Sequence, residues 1–384
     1  MFSISEFCRY LLYPEISAKA KQMRIVLNKT IGKGLKKDKN SVCDLQVSVN
    51  DTLPRKIFEL CPKKDDVNLL DLKELSEGMG IGSLFAIDES NRLGLGSFKA
   101  LGAVYTIAKI AIGEQFHEGI RNLQEDAITR LNGVTFATAS AGNHGLSVAA
   151  GASLFGAEAR IYVSSNVPKK FIKRLKALGA KVTVYGKNYE ESQALAVKDS
   201  NLYGWTLISD STWEGYDFGL DIMEGYLISI SQALEKIPVE LTHVFLQAGV
   251  GGLAAAFAAF IREKLGYAVK IIIVEPSTAN CLQASIENGQ PTQIKGPVSQ
   301  MGRLDCKYPS VQAFYSLSKT ANAFVTITER EAELGSKLLS DNGLSISKSS
   351  SAGYVALRLL AKRAKFSLDK KSKVLCVFSE GLIE

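Results

Sequence analysis

Lys99 is the side chain of this sequence with the clearest potential for covalent chemistry. It follows the glycine-rich segment GLGSF of residues 94–98 and begins an apolar stretch with helical spacing. Burial and the positive end of a helix dipole both disfavour an ammonium, so they predict a pKa below the ordinary value of about 10.4. Such an amine can attack an aldehyde and later move a proton. Taken alone, however, this position fits an exposed lysine after a turn better.

The second candidate segment is the loop of residues 140–145, whose sequence is SAGNHG. It follows an apolar run and precedes a predicted helix, which places it at the carboxyl end of a strand, where open parallel sheets bind ligands. The Asn143 amide can hydrogen-bond a phenolic oxygen, and its small neighbours let a ring approach the backbone. For His144 we expect an ordinary place at a helix start, with the imidazole turned to backbone or solvent.

The third segment is glycine-rich and reads QAGVGGLA over residues 247–254. Successive glycines expose backbone N–H groups, and a helix that starts there adds partial positive charge, so the segment predicts a phosphate cradle. The spacing of Gly249, Gly251 and Ala254, followed by a strand that ends at Glu275, also fits a dinucleotide fingerprint. This segment alone therefore leaves a nicotinamide enzyme open.

The combination of the three segments distinguishes these interpretations. A dinucleotide site gives no reason for Lys99 after Ser-Phe, or for the Asn143 loop between the lysine and the glycines. Pyridoxal phosphate, which has an aldehyde, a ring oxygen and one phosphate, accounts for all three. It also predicts a fourth group that faces the pyridine nitrogen, and the hydroxyl of Ser379, at the end of a late apolar strand, is suitable.

Predicted strands and helices alternate along the chain around these three segments. From about residue 66 onward, short apolar runs alternate with helical segments, which predicts an α/β fold with parallel sheets flanked by helices. Residues 168–180 predict a solvated helix that covers a sheet. The predicted strands are 83–86, 134–138, 160–163, 181–185, 206–208, 243–247, 270–274 and 373–378. The other predicted helices are 99–112, 144–155, 189–199, 217–236, 252–265 and 352–364.

Composition limits the class of protein further. The chain has 384 residues, 46% of them hydrophobic and 22% charged, which suits a globular protein of two lobes. Its net charge of +7 is dispersed, and its six cysteines and three histidines form no metal-ligand pattern. There is no run of about 18 apolar residues and no pattern typical of a secretory signal. We expect a cytoplasmic protein that binds neither nucleic acid nor membrane.

The motifs of this chain resemble those of a known family. Ser97-Phe98-Lys99, the SAGNHG loop and the GVGG turn from residue 249 are similar to the fold-type II pyridoxal-phosphate enzymes, which include threonine dehydratases and tryptophan synthase β-subunits. Within that family the chain is most similar to the diaminopropionate ammonia-lyases. This closer similarity lies in KALG of residues 99–102, DSTWEGY of residues 210–216 and Glu275-Pro276, and the whole resemblance covers roughly residues 70–381.

The resemblance implies a two-domain fold of the tryptophan synthase β type. We expect an N-terminal extension of residues 1–50, a large cofactor domain formed by residues 51–98 and 215–384, and a small domain of residues 99–214. It also implies a homodimer.

The same resemblance implies a role for each candidate residue. Lys99 would carry the cofactor and act as the base, Asn143 would hold the ring oxygen, and Ser379 would face the ring nitrogen. Asp210 falls where the ammonia-lyases keep an acid near the substrate, although it also fits a helix cap. The phosphate would lie on the backbone amides of Gly249, Val250, Gly251, Gly252 and Leu253.

The activity implied is αβ-elimination from a small amino acid such as L-2,3-diaminopropionate, which gives pyruvate and ammonia. The ammonia-lyases usually carry an aspartate before Gly-Asn-His that acts as the base toward the D-substrate, and here that residue is Ala141. Ala141 favours the alternatives of a serine or threonine dehydratase or a β-replacement synthase. An altered segment at residues 66–70, where the family has Pro-Thr-Pro-Leu, leaves open a pyridoxal-phosphate-binding protein without turnover.

Overall fold

The computed structural model describes residues 23–35, 46–113, 123–213 and 215–382, and within these ranges the strands form two sheets. The larger sheet has seven strands in the order β1-β10-β9-β8-β11-β3-β2, and the smaller has four in the order β6-β5-β4-β7. The strands are β1 Ile25–Leu27, β2 Asn68–Asp71, β3 Ser83–Asp88, β4 Thr135–Ala139, β5 Glu158–Val163, β6 Lys181–Val184, β7 Thr206–Leu207, β8 His243–Gln247, β9 Lys270–Pro276, β10 Ala323–Ile327 and β11 Lys373–Phe378.

The core of the larger sheet is parallel, because β3, β8, β9, β10 and β11 pair in parallel. Strands β8 and β10 are buried along their whole length, as expected where helices cover both faces of a parallel sheet. The parallel sheet agrees with the prediction, and each of its edges carries one further strand, since β1 pairs with β10 and β2 with β3 in antiparallel fashion. The smaller sheet is parallel throughout.

Fourteen helices of the described residues connect and cover the sheets. They are α1 Thr52–Glu59, α2 Lys73–Met79, α3 Lys99–Ile112, α4 Leu123–Arg130, α5 Asn143–Leu154, α6 Lys169–Ala177, α7 Tyr189–Tyr203, α8 Phe218–Gly225, α9 Leu227–Lys236, α10 Gly252–Leu265, α11 Cys281–Asn288, α12 Val311–Thr320, α13 Glu329–Asp341 and α14 Ala352–Lys362. None of these helices is both long and apolar enough to cross a lipid bilayer.

Helix α3 is buried on nearly all sides and lies against both α5 and α8. The close approach to α8 requires glycine, since a Cβ on Gly102 would come within 2.7 Å of the Ile222 side chain. A Cβ on Gly225 would likewise come within 2.9 Å of the Leu101 carbonyl oxygen. At this contact the predicted single helix 217–236 is wrong: the chain tightens at Tyr226, whose N–H donates to the Met223 carbonyl, and divides into α8 and α9.

Residues 23–35, which fall within the predicted N-terminal extension of residues 1–50, pack against the larger sheet. Here β1 completes the edge of the larger sheet, and the Asn28 side chain donates to the carbonyls of Ser318 and Ala321, each at 2.8 Å. Hydrogen bonds between residues about 290 positions apart leave no periodic signal in the sequence. Residues 1–22 and 36–45 lie outside the described part of the chain.

The predicted surface helix is confirmed. Helix α6 buries only Leu175 and exposes its lysines, so it covers the small sheet as the spacing indicated.

Candidate functional site

Lys99 stands where the start of α3 meets the last strand of the larger sheet. The Phe98 N–H donates to the Ser379 carbonyl at 3.1 Å, and Ser97 forms an antiparallel bridge with Glu380. Gly96, with φ of +87°, supplies the turn before the helix that a side chain would strain. The segment after β11 therefore fixes the position of Lys99 at the carboxyl ends of the parallel strands.

The Lys99 ammonium forms an ion pair with the carboxylate of Asp210, which follows β7. Both side chains are largely buried, and burial disfavours both charges. The ion pair and its hydrogen bond outweigh burial, so the pKa of Lys99 is raised and the pKa of Asp210 is lowered. The sequence-based prediction of a lowered Lys99 pKa is therefore wrong, because the partner that reverses the shift lies 111 positions away.

The stacked rings of Trp213 and Tyr216 hold the backbone just before Asp210. Tyr216 stacks on Trp213 with ring centroids 4.1 Å apart, and its hydroxyl accepts the Ser209 N–H at 2.5 Å. The backbone before Asp210 is thereby tied to the segment that resembles the ammonia-lyases most closely. Glu214, the acid of that segment, lies outside the described residues.

The Asn143 loop follows β4 and starts α5. A Cβ on Gly145 would lie only 2.0 Å from the Ser140 carbonyl oxygen, so this tight turn requires glycine. His144 is buried, and its Nε2 lies 2.9 Å from the Ile208 carbonyl oxygen. Burial lowers the pKa of His144, which favours the neutral ring. The expectation that His144 turns toward backbone at a helix start is confirmed.

The Asn143 side chain donates to a carboxylate that the sequence did not single out. Its Nδ2 lies 2.5 Å from Oε2 of Glu380, a residue only 4% exposed. Oε1 of the same carboxylate accepts from Ser347 at 2.7 Å, and Arg303 Nε lies 3.2 Å from Oε2. A charged residue at the second position after the last strand was the one available signal for Glu380. No local pattern marked Arg303.

The glycine turn lies between β8 and α10, as predicted. Gly251 has φ of +103°, a conformation that favours glycine, and α10 begins at Gly252. The N–H groups at this helix start have the orientation and partial charge that suit an anion. A Cβ on Gly249 would come within 3.0 Å of the Cys306 sulfur and the Arg303 carbonyl, so the turn packs closely against the segment that carries Arg303.

Gln247, the last residue of β8, connects Ser379 to this turn. The Gln247 Nε2 donates to the Ser379 Oγ at 3.0 Å and to the Val377 carbonyl at 2.9 Å. A hydroxyl that accepts one hydrogen bond still has its own hydrogen to donate. Ser379 can therefore offer a donor to an unprotonated ring nitrogen.

The dinucleotide interpretation fails on Glu275, the acid that would bind a ribose. Its two oxygens accept the backbone N–H groups of Leu282 and Gln283, each at 2.8 Å, and the residue is fully buried. Burial raises the pKa of Glu275 to about 8 despite these hydrogen bonds. Glu275 therefore holds the start of α11 and is not available to a ligand.

The remaining groups fit pyridoxal phosphate. Four groups lie at the carboxyl ends of strands: the Lys99 amine, the Asn143 amide, the Ser379 hydroxyl and the glycine turn. Hydrogen bonds to Ser379 and Glu380 connect the segments that carry them. Each of the four corresponds to one functional group of that cofactor.

Comparison with known proteins agrees with this fit. Residues 64–380 match the family described as pyridoxal-phosphate dependent enzyme. The chain is 32% identical over 341 residues to the diaminopropionate ammonia-lyase of Escherichia coli (strain K12), with 82% of this chain and 83% of the relative covered.

Two crystal structures of the Escherichia coli diaminopropionate ammonia-lyase are also similar. The complex with D-serine superposes with a TM-score of 0.83 at 27% identity and covers 94% of each chain. The complex with an aminoacrylate-PLP azomethine reaction intermediate gives a TM-score of 0.81, again at 27% identity with 94% of each chain covered.

Proposed function

The chain belongs to the pyridoxal-phosphate-dependent enzyme family, and on that premise we propose that it catalyses αβ-elimination on a small amino acid such as L-2,3-diaminopropionate. One molecule of this substrate and one of water would give pyruvate and two of ammonia. The observation that carries the proposal is the largely buried ion pair between Lys99 and Asp210. Membership of the family confirms the predicted cofactor and the predicted fold type.

Four elements of the site would hold the cofactor. Lys99 would be joined to its aldehyde, Asn143 would donate to its ring oxygen and Ser379 to its ring nitrogen. The backbone N–H groups of residues 249–253 would bind its phosphate. When bound, pyridoxal phosphate supplies an electron sink for the electron pair left on the substrate's α-carbon.

The chain itself supplies two proton transfers, one from the substrate to Lys99 and one from Asp210 to the leaving group. Lys99, once the substrate amine has replaced it, takes the α-proton. The bond from the β-carbon to its substituent breaks, and the departing amine takes a proton from Asp210. Asp210 can hold that proton when Lys99 is uncharged, because burial raises the pKa of a carboxyl and the Lys99 charge is the main effect that opposes it.

Ala141 supports elimination from a single enantiomer. The residue contributes no base to the loop beside Asn143, so Lys99 would be the base on one face of the substrate only. Ala141 also favours a second candidate function, a serine or threonine dehydratase, in which the leaving group is a hydroxyl. Asp210 would protonate that group in the same way.

The test is pyruvate formation from a panel of L-2,3-diaminopropionate, its D-enantiomer, L-serine and L-threonine. We expect turnover of the L-diamine, little with the D-diamine, and none in Lys99→Ala. Lys176→Ala, which alters an exposed lysine of α6, is the matched control and should retain native rates. Turnover of serine or threonine alone would select the dehydratase. Full activity in Lys99→Ala, or no reaction with any of the four, would contradict an eliminating enzyme.

The expectations of a homodimer and a cytoplasmic location remain predictions, as do the domain boundaries. Sedimentation of the purified protein would test the first. A monomer that retained full activity would contradict it.

A further inference from the structure

Arg303 places a cation against the loop on which the substrate must lie. It belongs to the irregular segment between α11 and α12, and its Nη1 lies 2.9 Å from the point that a Cβ on Gly142 would occupy. Gly142 has an extended backbone, with φ of −98°, so its lack of a side chain serves this contact and not a turn. The guanidinium thus covers the backbone between Ala141 and Asn143.

Two neighbours hold the guanidinium at one end. Its Nε lies 3.2 Å from Oε2 of Glu380, and the Phe171 ring of α6 lies 6.0 Å away, at the outer limit of a cation–π contact. Among the described residues, none accepts a hydrogen bond from Nη1 or Nη2. The side chain remains 33% exposed. The two terminal amino groups, which form the fork that pairs with a carboxylate, are therefore free for a ligand.

Glu380 connects this fork to the cofactor site. The same Oε2 atom accepts from Arg303 Nε and from Asn143 Nδ2, so the guanidinium and the amide are neighbours. In pyridoxal phosphate the aldehyde and the ring oxygen occupy adjacent ring carbons. An amino acid joined at the aldehyde therefore has its α-carbon close to whatever holds the ring oxygen, and its α-carboxylate one bond further on.

We propose that Arg303, oriented by Glu380, binds the α-carboxylate of the amino-acid substrate. This assignment rests on the proposed function, because it requires the cofactor to be held by Lys99 and Asn143. Glu380 is a positioning residue in this arrangement: it is buried, it receives three side-chain donors, and it leaves the outer face of Arg303 open. A carboxylate of the substrate then adds a second anion to a guanidinium that Glu380 only partly satisfies.

The test compares binding of a carboxylate with binding of its amide. L-Alanine and L-alaninamide lack a leaving group on the β-carbon, so each binds to the holoenzyme without elimination, and the change in visible absorbance gives a dissociation constant. Loss of a charge-assisted hydrogen bond costs about 1.5–3 kcal/mol. We therefore expect Arg303→Met to weaken L-alanine binding about 10- to 100-fold and to change L-alaninamide binding less than about 3-fold.

Arg303→Lys separates charge from geometry. It retains the cation but loses the fork and the Nε that faces Glu380, so we expect L-alanine binding between that of the native enzyme and Arg303→Met. Both variants should retain the native melting temperature and cofactor absorbance. Equal weakening of the acid and the amide in Arg303→Met would overturn the proposal, because it would indicate a structural role.

A third ligand, L-O-phosphoserine, tests whether Arg303 instead binds an anion on the β-carbon of the substrate. If Arg303→Met leaves L-alanine binding unchanged but abolishes a preference for L-O-phosphoserine over L-serine, the guanidinium reads the β-substituent and the proposal is wrong. If the native holoenzyme forms its cofactor band but responds to neither L-alanine nor L-2,3-diaminopropionate, both this assignment and the proposed function fail. A native response with an unchanged variant would overturn only the assignment to Arg303.

Discussion

Asn143 and Arg303 donate to the same oxygen of Glu380, at 2.5 and 3.2 Å. The Asn143 Nδ2 carries two hydrogens, so one can remain on Glu380 while the other points to a ligand oxygen. Glu380, which follows the last strand of the large sheet, thereby orients the amide of Asn143, which follows a strand of the small sheet. A contact of this kind joins the two sheets across the site.

Glu380→Gln should weaken cofactor binding. The replacement removes the negative charge that orients Asn143 and puts an amide N–H among three donors. We expect the dissociation constant of pyridoxal phosphate from the apoenzyme to rise about tenfold, the scale of one charge-assisted hydrogen bond. Fluorescence titration measures it, and Glu263→Gln on the exposed face of α10 is the control. Native affinity in Glu380→Gln would show that Asn143 needs no such support.

Asp210→Asn should accelerate attachment of the cofactor and slow turnover. Without the carboxylate, burial of Lys99 loses the main effect that opposes it, so the pKa of Lys99 falls from its raised value. More of the amine is then uncharged at neutral pH, and the apoenzyme reacts faster with pyridoxal phosphate. Elimination should fall about 10²- to 10⁴-fold because the leaving group loses its acid.

Stopped-flow absorbance gives the attachment rate, and pyruvate release gives the turnover. The native attachment rate should rise with pH up to the alkaline limit of the fold, whereas that of Asp210→Asn should level off at a lower pH. Asp126→Asn, which changes an exposed residue of α4, should match the native protein in both. Identical pH profiles for native and Asp210→Asn would refute the coupling.

Gly142→Ala should disturb Arg303 specifically. The backbone of residue 142 suits alanine, but the new Cβ would lie 2.9 Å from Arg303 Nη1 and must displace it. We expect KM for the amino acid to rise about tenfold with a much smaller change in kcat, because binding is weakened while the proton-transfer residues stay in place. Steady-state kinetics provides the readout.

Gly302→Ala is a matched control for that change. It lies next to Arg303 in sequence, yet an added Cβ meets nothing within 4 Å. Its kinetics should equal those of the native enzyme. A similar rise in KM for both variants would mean that the segment, and not the guanidinium, sets substrate binding.

Glu275 makes the stability of the fold depend on pH. Its folded pKa of about 8 lies above the ordinary value of 4.5, so the folded state holds this proton more tightly than the unfolded state. The stability that protonated Glu275 contributes is fully present below about pH 4.5 and is lost as the pH rises through 8. The native free energy of unfolding should therefore fall relative to that of Glu275→Gln across this interval. Urea denaturation at several pH values measures the difference, and a constant difference would contradict a raised pKa.

Local pattern was enough to predict the elements that carry the cofactor groups. The predicted bounds of β8, α3, α10 and β11 agree with the structure at both ends, because glycine turns and apolar runs mark them. Strands β1, β2 and β10 were missed. The pairing of β10 with β1, almost 300 positions earlier, has no local signal, although the apolar residues of β10 themselves do.

The same distinction holds within the site. Lys99, Asn143 and the Gly249 turn stand in recognisable segments, whereas Arg303 and Glu380 acquire their meaning only from contact with the Asn143 loop. The direction of the Lys99 pKa shift was also wrong for this reason. Burial and the helix start are local properties, but the Asp210 charge that outweighs them comes from another strand end.

Every role assigned to the site requires that Lys99 be covalently joined to pyridoxal phosphate. Borohydride reduction of the holoenzyme, followed by proteolysis and mass spectrometry, tests it directly. We expect one pyridoxyl adduct, on the peptide that contains Lys99, and none on that peptide in Lys99→Ala. An adduct on a different lysine, or an unmodified Lys99 in protein that retains cofactor absorbance, would contradict it.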